Sequence, residues 1–467
     1  MIVHKFGGTS LATADRIRSV AETIEQGIEN SPAVVVSAVG GVTNRLISCA
    51  RSAALGDRET CRTAREWLLE KHRALAENLL GVGAEYDDFQ QTVEDSLAWL
   101  DRFLDSVAVL GELSARSHDA VAGLGEALSS TLVAAVLRQR GLRAQAIHAK
   151  ALIVTDEQYG SANPIMTDTA EKSQALLLPL IEDGVVPVIT GYVGATSEGV
   201  LTTLGRSGSD FSAAIIAACL ESDELWIWTD VNGILTADPN VVPGARVLRE
   251  LSFGEAGQLA RFGAEVLHPH TIAPIIEKGI PLRILNSLNP EDEGTRIVET
   301  TRDDRTIQPA IVSATGLQLL QLRDPQAQWT VEDATEVLKR LSAAGVGVRM
   351  FGQSFSEQGM TVVVGQHDGP HSTRILSLDN PPATAYHLDT VERVATISVI
   401  GWDGHASARI ASRAFAALGK CKVRIVAVAQ AATEDSVTFC VPAADADHTV
   451  RLLHQELGLE VPEGVTA

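Results

Sequence analysis

The run Lys5-Phe6-Gly7-Gly8-Thr9-Ser10 limits what this chain can fold into more than any other segment. It closes an apolar stretch, Met1 to His4, and opens helix-compatible sequence, so a strand, a glycine turn and a helix start follow one another. Such a turn seats an anion. Two glycines let backbone N–H groups approach without a Cβ in the way, and the helix N-terminus adds partial positive charge. Lys5 adds a full one. Taken alone, the six residues read equally as an ordinary βα turn that carries a lysine.

At 467 residues the chain exceeds one ordinary core, and about 100 to 200 residues per domain implies roughly three units. The net charge of −21 argues against nucleic acid or an anionic membrane surface as a partner, so an anionic ligand must be met by local basic residues. Cys49, Cys61, Cys219, Cys421 and Cys440 are scattered and lack C-x-x-C spacing, which points away from a disulfide framework or a zinc site and toward a reducing cytoplasm. No apolar run of about 18 residues and no signal-peptide pattern is read from the sequence.

Residues 2–6, 33–38, 185–190 and 225–229 are short Val- and Ile-rich runs bounded by Gly, Pro or Ser, the pattern of buried parallel strands. Helical stripes separate them at 14–29 and 211–220, which predicts an α/β sandwich over about 300 residues. Residues 66–113 read as a helical excursion from the sheet, either a lid or padding on one edge. A polar boundary at 300–309 precedes a change of grammar. Strand-like 311–322, helix-like 331–343 and strand-like 346–351 and 360–364 return in the same order at 395–400, 406–418, 423–429 and 436–441. This imperfect repeat is visible best where Phe351-Gly352-Gln353 matches Val428-Ala429-Gln430, and two such units are expected to pack together.

Several constellations carry chemistry. Gly205 to Asp210 forms a second phosphate-compatible loop, in which Arg206 offers a planar fork for a carboxylate and Asp210 reads either as a site acid or as a helix cap. Ser37 to Asn44 ends a strand in hydroxyls and glycines, where open sheets place ligands. Glu126 opens a helical run and fits either a substrate ammonium or a first-turn acid. Thr229 and Asp230 begin a T-D-x-x-G stretch suited to nucleotide contacts and equally to a plain turn. His268 and His270 form an H-x-H pair without further spaced ligands, and no metal site is assigned.

Taken in order, K-F-G-G-T-S at 5–10, V-S-A-V-G-G-V-T-N at 36–44, G-E-x-x-S at 125–129, G-R-S-G-S-D at 205–210, W-T-D-V-N-G at 228–233 and F-G-A-E-V-L-H-P at 262–269 resemble the aspartate kinase family. The run I-V-A-V-A-Q ending at Gln430 resembles the kinase half of aspartokinase–homoserine dehydrogenases, and no further G-x-G-x-x-G unit follows it. The resemblance implies an amino-acid-kinase (carbamate-kinase-like) αβα sandwich over 1–300, followed by two ferredoxin-like α+β ACT domains at 309–385 and 386–467, which can be intertwined. It implies phosphoryl transfer from Mg-ATP to the β-carboxylate of L-aspartate in a cytoplasmic homo-oligomer, the first step toward threonine, methionine, lysine and isoleucine. The alternatives are a kinase for another acceptor in a specialised pathway and a non-catalytic amino-acid sensor.

By the same resemblance Lys5 neutralises the migrating phosphoryl, Gly7, Gly8 and Ser37 cradle it, and Asp210 orients Lys5. Arg206 clamps the α-carboxylate, Glu126 holds the α-ammonium, Thr43 touches substrate, and Thr229 with Asp230 lines the nucleotide pocket. Gln353 and Gln430 mark effector sites, with threonine the favoured effector and lysine second. The chain departs from the family pattern at Glu265, Leu235 and Asn240, where lysine, tyrosine and arginine are usual. It also has Arg323-Asp324-Pro325 where the first repeat's glycine turn is expected. Arg261, His268 and Arg246 are alternative cations for the nucleotide.

Overall fold

The computed structural model describes residues 1–262, 269–301, 309–323, 329–354, 359–377, 387–400, 407–430 and 436–459. They form two compact units, the first comprising Met1–Ile234, Arg249–Ala256 and Leu267–Thr301, the second Leu235–Leu248, Gly257–Val266 and Arg302–Ala467.

The first unit contains the strands β1 Ile2–Phe6, β2 Ala33–Val36, β3 Ala144–Ile147, β4 Val154–Thr155, β5 Val186–Thr190, β6 Val193–Thr196, β7 Leu201–Thr203, β8 Glu224–Thr229, β9 Glu250–Ser252, β10 Leu282–Asn286 and β11 Thr295–Val298. Eight of them make one sheet in the order β3-β5-β2-β1-β8-β10-β11-β9, parallel except where β10 meets β11, while β4, β6 and β7 form a small separate sheet. The helices are α1 Ala14–Gln26, α2 Val42–Ala54, α3 Arg58–Leu80, α4 Ala84–Leu110, α5 Ala115–Ala122, α6 Leu124–Gln139, α7 Met166–Glu182, α8 Gly208–Cys219, α9 Phe253–Phe262, of which the residues from Gly257 on are counted in the second unit, and α10 Ala273–Lys278.

Strand alternation divides the apolar residues between two faces. Phe6, Val34, Val36, Val186, Val188 and Trp228 share a core with α1, α2, α4 and α6. Their neighbours Val3, Val35, Ile189, Leu225 and Ile227 are buried as well and face the other side, where α7 and α8 pack. This αβα layering is the predicted one. His4 joins the first face, stacked with Phe6 and Trp228, and its Nδ1 accepts a hydrogen bond from Trp228 Nε1 at 3.1 Å. Burial pushes the His4 imidazole down to about 3, so it is a neutral core residue. Lys5, one residue on, therefore points toward α8.

The helical excursion is an antiparallel pair, α3 and α4, that joins the first core through Leu68, Leu75, Phe89, Val93, Leu97 and Leu100. One stretch corrects the reading that no run could span a membrane. Ala115–Gln139 is long and apolar enough, and 78% of its central window is buried inside the unit, as expected of a core helix.

The second unit contains β12 Ala310–Arg323, β13 Val348–Ser354, β14 Gly359–Gly365, β15 His387–Ile400, β16 Ala427–Ala429 and β17 Ser436–Pro442, with helices α11 Val331–Ala343, α12 Gly369–Ser377, α13 Ser407–Lys420 and α14 Ala446–Leu457. The sheet order β13-β14-β12-β15-β17-β16 joins the two repeats through their long opening strands. One core gathers Leu320, Leu322, Val337, Leu341, Val362 and Val364; the other gathers Ile397, Val399, Ala414, Leu418, Phe439, Val450 and Leu453. The second core also takes Ile311 from the start of β12, together with Ala237 and Val242 from the segment that follows the T-D-V-N-G stretch. Within this unit Thr236 Oγ1 lies 3.0 Å from His454 Nε2 in a buried contact.

Candidate active site

A cavity of about 330 Å³ opens where the C-terminal ends of β1, β2 and β5 meet the N-termini of α2 and α8. Lys5, Gly8, Ser37, Gly40, Gly41, Thr43, Asn44, Glu126, Tyr192, Gly205, Ser207, Ser209 and Asp210 line it. In a mostly parallel sheet this is where ligands bind, because backbone N–H groups and helix N-termini converge there.

Lys5 Nζ lies 2.6 Å from Asp210 Oδ1, with both side chains largely buried, at 12% and 16% exposure. The pairing follows from local rules. Alternation along β1 aims Lys5 at α8, and Asp210 occupies the first turn of α8, where the helix dipole favours a carboxylate. Asp210 is thus both the helix-start acid and a site residue.

Glu126 enters from the first turn of α6 and is 3% exposed. Burial pushes its carboxyl up from 4.5 to about 8, against the pull of hydrogen bonds with the backbone of Ala38 and of Glu126 itself. Its Oε2 is buried with no hydrogen-bond partner among the described residues. A buried acceptor of this kind costs stability unless a ligand satisfies it, and a cationic donor would do so while restoring the charge.

Two glycine loops lock the floor. Gly40 N–H donates to Gly8 O at 3.1 Å, and a Cβ on Gly8 would stand 2.9 Å from Ala38 O. Ser37 N–H donates to Phe6 O, and Ser129 Oγ donates to Ser37 O at 2.6 Å, which fixes the end of β2. Ser207 and Tyr192, both lining the cavity, hold left-handed backbone at φ 55° and 71°. Non-glycine residues in that region carry strain that tends to gather at functional sites.

Of the residues singled out in the sequence, Lys5, Gly8, Ser37, Thr43, Glu126 and Asp210 come together in this cavity. Gly7 belongs to the same turn, with Lys5 Nζ 3.5 Å from where its Cβ would be, and it does not itself line the cavity. Arg206 is exposed between two lining residues, Gly205 and Ser207, and its side chain is outside the cavity wall. Thr229 and Asp230 end β8, beside β1, and are also outside the wall. Thr229 Oγ1 lies 3.3 Å from Asp230 Oδ1.

In the second unit, Asn240 folds its side-chain amide onto Asp238 Oδ1 at 3.0 Å, and Leu235 pairs with Val247. Gln353 on β13 has a buried Nε2 without a hydrogen-bond partner among the described residues, and Gln430, just past β16, is exposed. Strands β13 and β16, the two edges of the six-stranded sheet, approach each other. Glu265, His268 and the Asp324-Pro325 turn lie outside the described residues. Tyr192 was missed; it follows the end of a strand already read from the sequence, where the strand-end rule would have found it.

Comparison with known proteins agrees with this geometry. Residues 1–286 match the amino acid kinase family and residues 397–457 match the ACT domain. The chain is 30% identical to the bifunctional aspartokinase/homoserine dehydrogenase 2 of Arabidopsis thaliana, across 98% of its own length and 50% of that protein. It is also 30% identical to aspartokinase 3 of the same plant, across 97% of its own length and 80% of that protein. Escherichia coli aspartokinase III, solved with aspartate and ADP and again with lysine and aspartate, superposes with a TM-score of 0.80 at 27% identity, covering 98% of this chain. The chain therefore belongs to the amino acid kinase family and, within it, to the aspartokinases. It spans about half the length of the bifunctional relatives it matches.

Proposed function

We propose that the chain is a feedback-regulated aspartate kinase, which transfers the γ-phosphoryl group of Mg-ATP to the β-carboxylate of L-aspartate and releases 4-phospho-L-aspartate and ADP. The observation that carries this reading is the cavity itself, lined by a buried Lys5–Asp210 pair and by buried Glu126, whose Oε2 has no hydrogen-bond partner among the described residues. An amino acid with a second carboxylate matches both groups. Its ammonium meets Glu126 and its side-chain carboxylate lies toward Lys5, with the hydroxyls of Ser37 and Thr43 between them. Arg206, exposed between the lining residues Gly205 and Ser207, takes the α-carboxylate.

The chemistry asks little covalent work of the protein. A carboxylate oxygen attacks the γ-phosphorus, the bond to the β,γ-bridging oxygen breaks, and ADP leaves with the electron pair. The nucleophile is already ionised, so no general base is needed and Asp210 serves to hold Lys5. Lys5 and the free N–H groups at the start of α8 neutralise charge spreading over the equatorial oxygens, so alignment and electrostatics supply the rate. Magnesium arrives as part of the nucleotide substrate, and Thr229 and Asp230, at the end of β8, lie on the nucleotide side. The free cysteines fit a reducing, cytoplasmic setting. Effector sites near Gln353 and Gln430 follow from the repeat, threonine being favoured and lysine second, and the second unit is the natural surface for a homo-oligomer.

The test is turnover of the purified chain with Mg-ATP and L-aspartate, trapping the acyl phosphate as its hydroxamate, with and without threonine or lysine. Turnover on aspartate supports the reading. Turnover only on another acid moves the acceptor, and amino-acid binding without any turnover makes the chain a sensor.

A further inference from the structure

The helical excursion has so far only contributed to the core. Its residue Trp67, on α3, packs by a residue of the cavity wall: the ring carbon Cη2 lies 3.8 Å from where a Cβ on Gly41 would stand. Gly41 is the left-handed N-cap of α2, at φ 85°, and lines the cavity with Thr43 and Asn44. Two cations flank the same indole. The Arg45 guanidinium lies 5.0 Å from its centroid and Lys71 Nζ lies 5.2 Å from it.

Both distances are within cation–π range, so the ring restrains each head group. Two like charges on one ring repel each other, and an ordinary surface would place a carboxylate between them. Neither Arg45 nor Lys71 forms an ion pair among the described residues. Among the arginines of the same two helices, Arg51, Arg58 and Arg73 likewise form no ion pair among the described residues, whereas others nearby are paired. Arg62 pairs with Glu59 and Glu66, Arg65 with Asp101, and Arg138 with Glu85. In a chain of net charge −21, two unneutralised cations restrained on one ring, which packs by the lining residue Gly41, favour an incoming anion.

We propose that Arg45 and Lys71, stacked on Trp67, form a cationic rim that draws a dicarboxylic amino acid into the cavity. The inference rests on the proposed aspartate acceptor. Asn44 and Arg45 follow Thr43 on the first turn of α2, so a carboxylate that passes the rim arrives at Thr43 and Ser37. The rim acts on capture and leaves the transfer step to Lys5, and Trp67 is a positioning residue.

The experiment measures hydroxamate formation at about 20 and about 300 mM salt for the wild type, Arg45→Met with Lys71→Met, Arg45→Lys and Trp67→Leu; added salt screens exposed charge over this range. Methionine keeps the aliphatic stem against the indole, so the double variant is expected to fold. It should raise the aspartate KM roughly three- to ten-fold at low salt, keep kcat within about two-fold, and flatten the salt dependence of kcat/KM. Arg45→Lys should restore most of the effect, and Trp67→Leu should fall between. An unchanged aspartate KM and salt slope in the double variant overturns the rim and leaves the aspartate reading standing. A change confined to the KM for Mg-ATP overturns the assignment to the acceptor. A wild type that does not turn over aspartate overturns the aspartate reading, and the rim falls with it.

Discussion

The ammonium of Lys5 sits 2.6 Å from the carboxylate of Asp210, joining the end of the first strand to the first turn of a helix more than 200 residues later. Two glycine loops distant in sequence thus meet at one ion pair. The consequence for activity is specific. Asp210→Asn keeps the shape and the helix-start position but removes the charge that steers Lys5. It should lower kcat about 10- to 100-fold with little change in the aspartate KM, because the lost interaction matters most in the transition state. Steady-state kinetics at saturating Mg-ATP checks it.

Glu126 predicts a pH dependence. In the free site burial favours the protonated carboxyl, with its value pushed up to about 8, whereas a bound ammonium favours the carboxylate. Aspartate binding must therefore release a proton below that pH. The aspartate KM should fall as pH rises toward 8 and then level, and Glu126→Gln should abolish this dependence while weakening binding throughout. Binding isotherms from pH 6 to 9 distinguish the outcomes.

The same group bears on stability. Its folded value lies above the ordinary 4.5, so the folded chain holds a proton that the unfolded chain has lost between those values. Relative to Glu126→Gln, the ligand-free protein should lose stability as pH rises from about 4.5 to about 8. Saturating aspartate should reverse part of that loss. Denaturant midpoints of the two proteins across this range provide the measurement.

Gly8→Ala places a Cβ 2.9 Å from Ala38 O, a backbone atom that cannot swing aside. The two glycine loops must separate, at a cost of about 1–3 kcal/mol, and the floor under the transferred group moves with them. Activity should fall by more than the stability loss alone explains. Thermal unfolding and kcat measured on the same preparation check both.

In the second unit, Thr236→Val removes the hydroxyl 3.0 Å from His454 Nε2 within a buried core. The same hydroxyl accepts from Arg246 N–H at 2.9 Å, and deleting buried hydrogen bonds of this kind costs about 1–3 kcal/mol. The denaturation midpoint should drop accordingly, while Thr236→Ser should stay near wild type.

Much of this was legible in the sequence because two of the strands that carry the site, β2 and β5, are rich in Val and Ile. Residues 33–36 and 186–190 allow no reading other than buried parallel strands, and their ends mark the cavity. Helix starts were readable wherever a glycine loop preceded them, which placed Asp210 and Glu126. β10 was harder, since Arg283 interrupts its apolar run; the structure stacks that guanidinium 5.6 Å from the Trp226 ring, a long-range contact no local pattern announces. α12 and α14 went unread because polar and charged residues crowd their outer faces, and their apolar stripes are short. Side-chain direction was the other limit. Arg206 sits in the predicted loop, yet its side chain is exposed and outside the cavity wall. The excursion at 66–113 was recognised as helical, but the approach of Trp67 to Gly41 depends on how α3 lies over α2, which periodicity does not record.

The account stands most directly on the role of Lys5, and one measurement isolates it: the single-turnover rate of γ-phosphoryl transfer to saturating L-aspartate in Lys5→Ala against wild type, with aspartate affinity measured on the same samples. The account predicts a rate at least about 1,000-fold lower with affinity changed less than about three-fold, as expected for a cation engaged chiefly in the transition state. A variant that transfers phosphoryl at a near wild-type rate would contradict it.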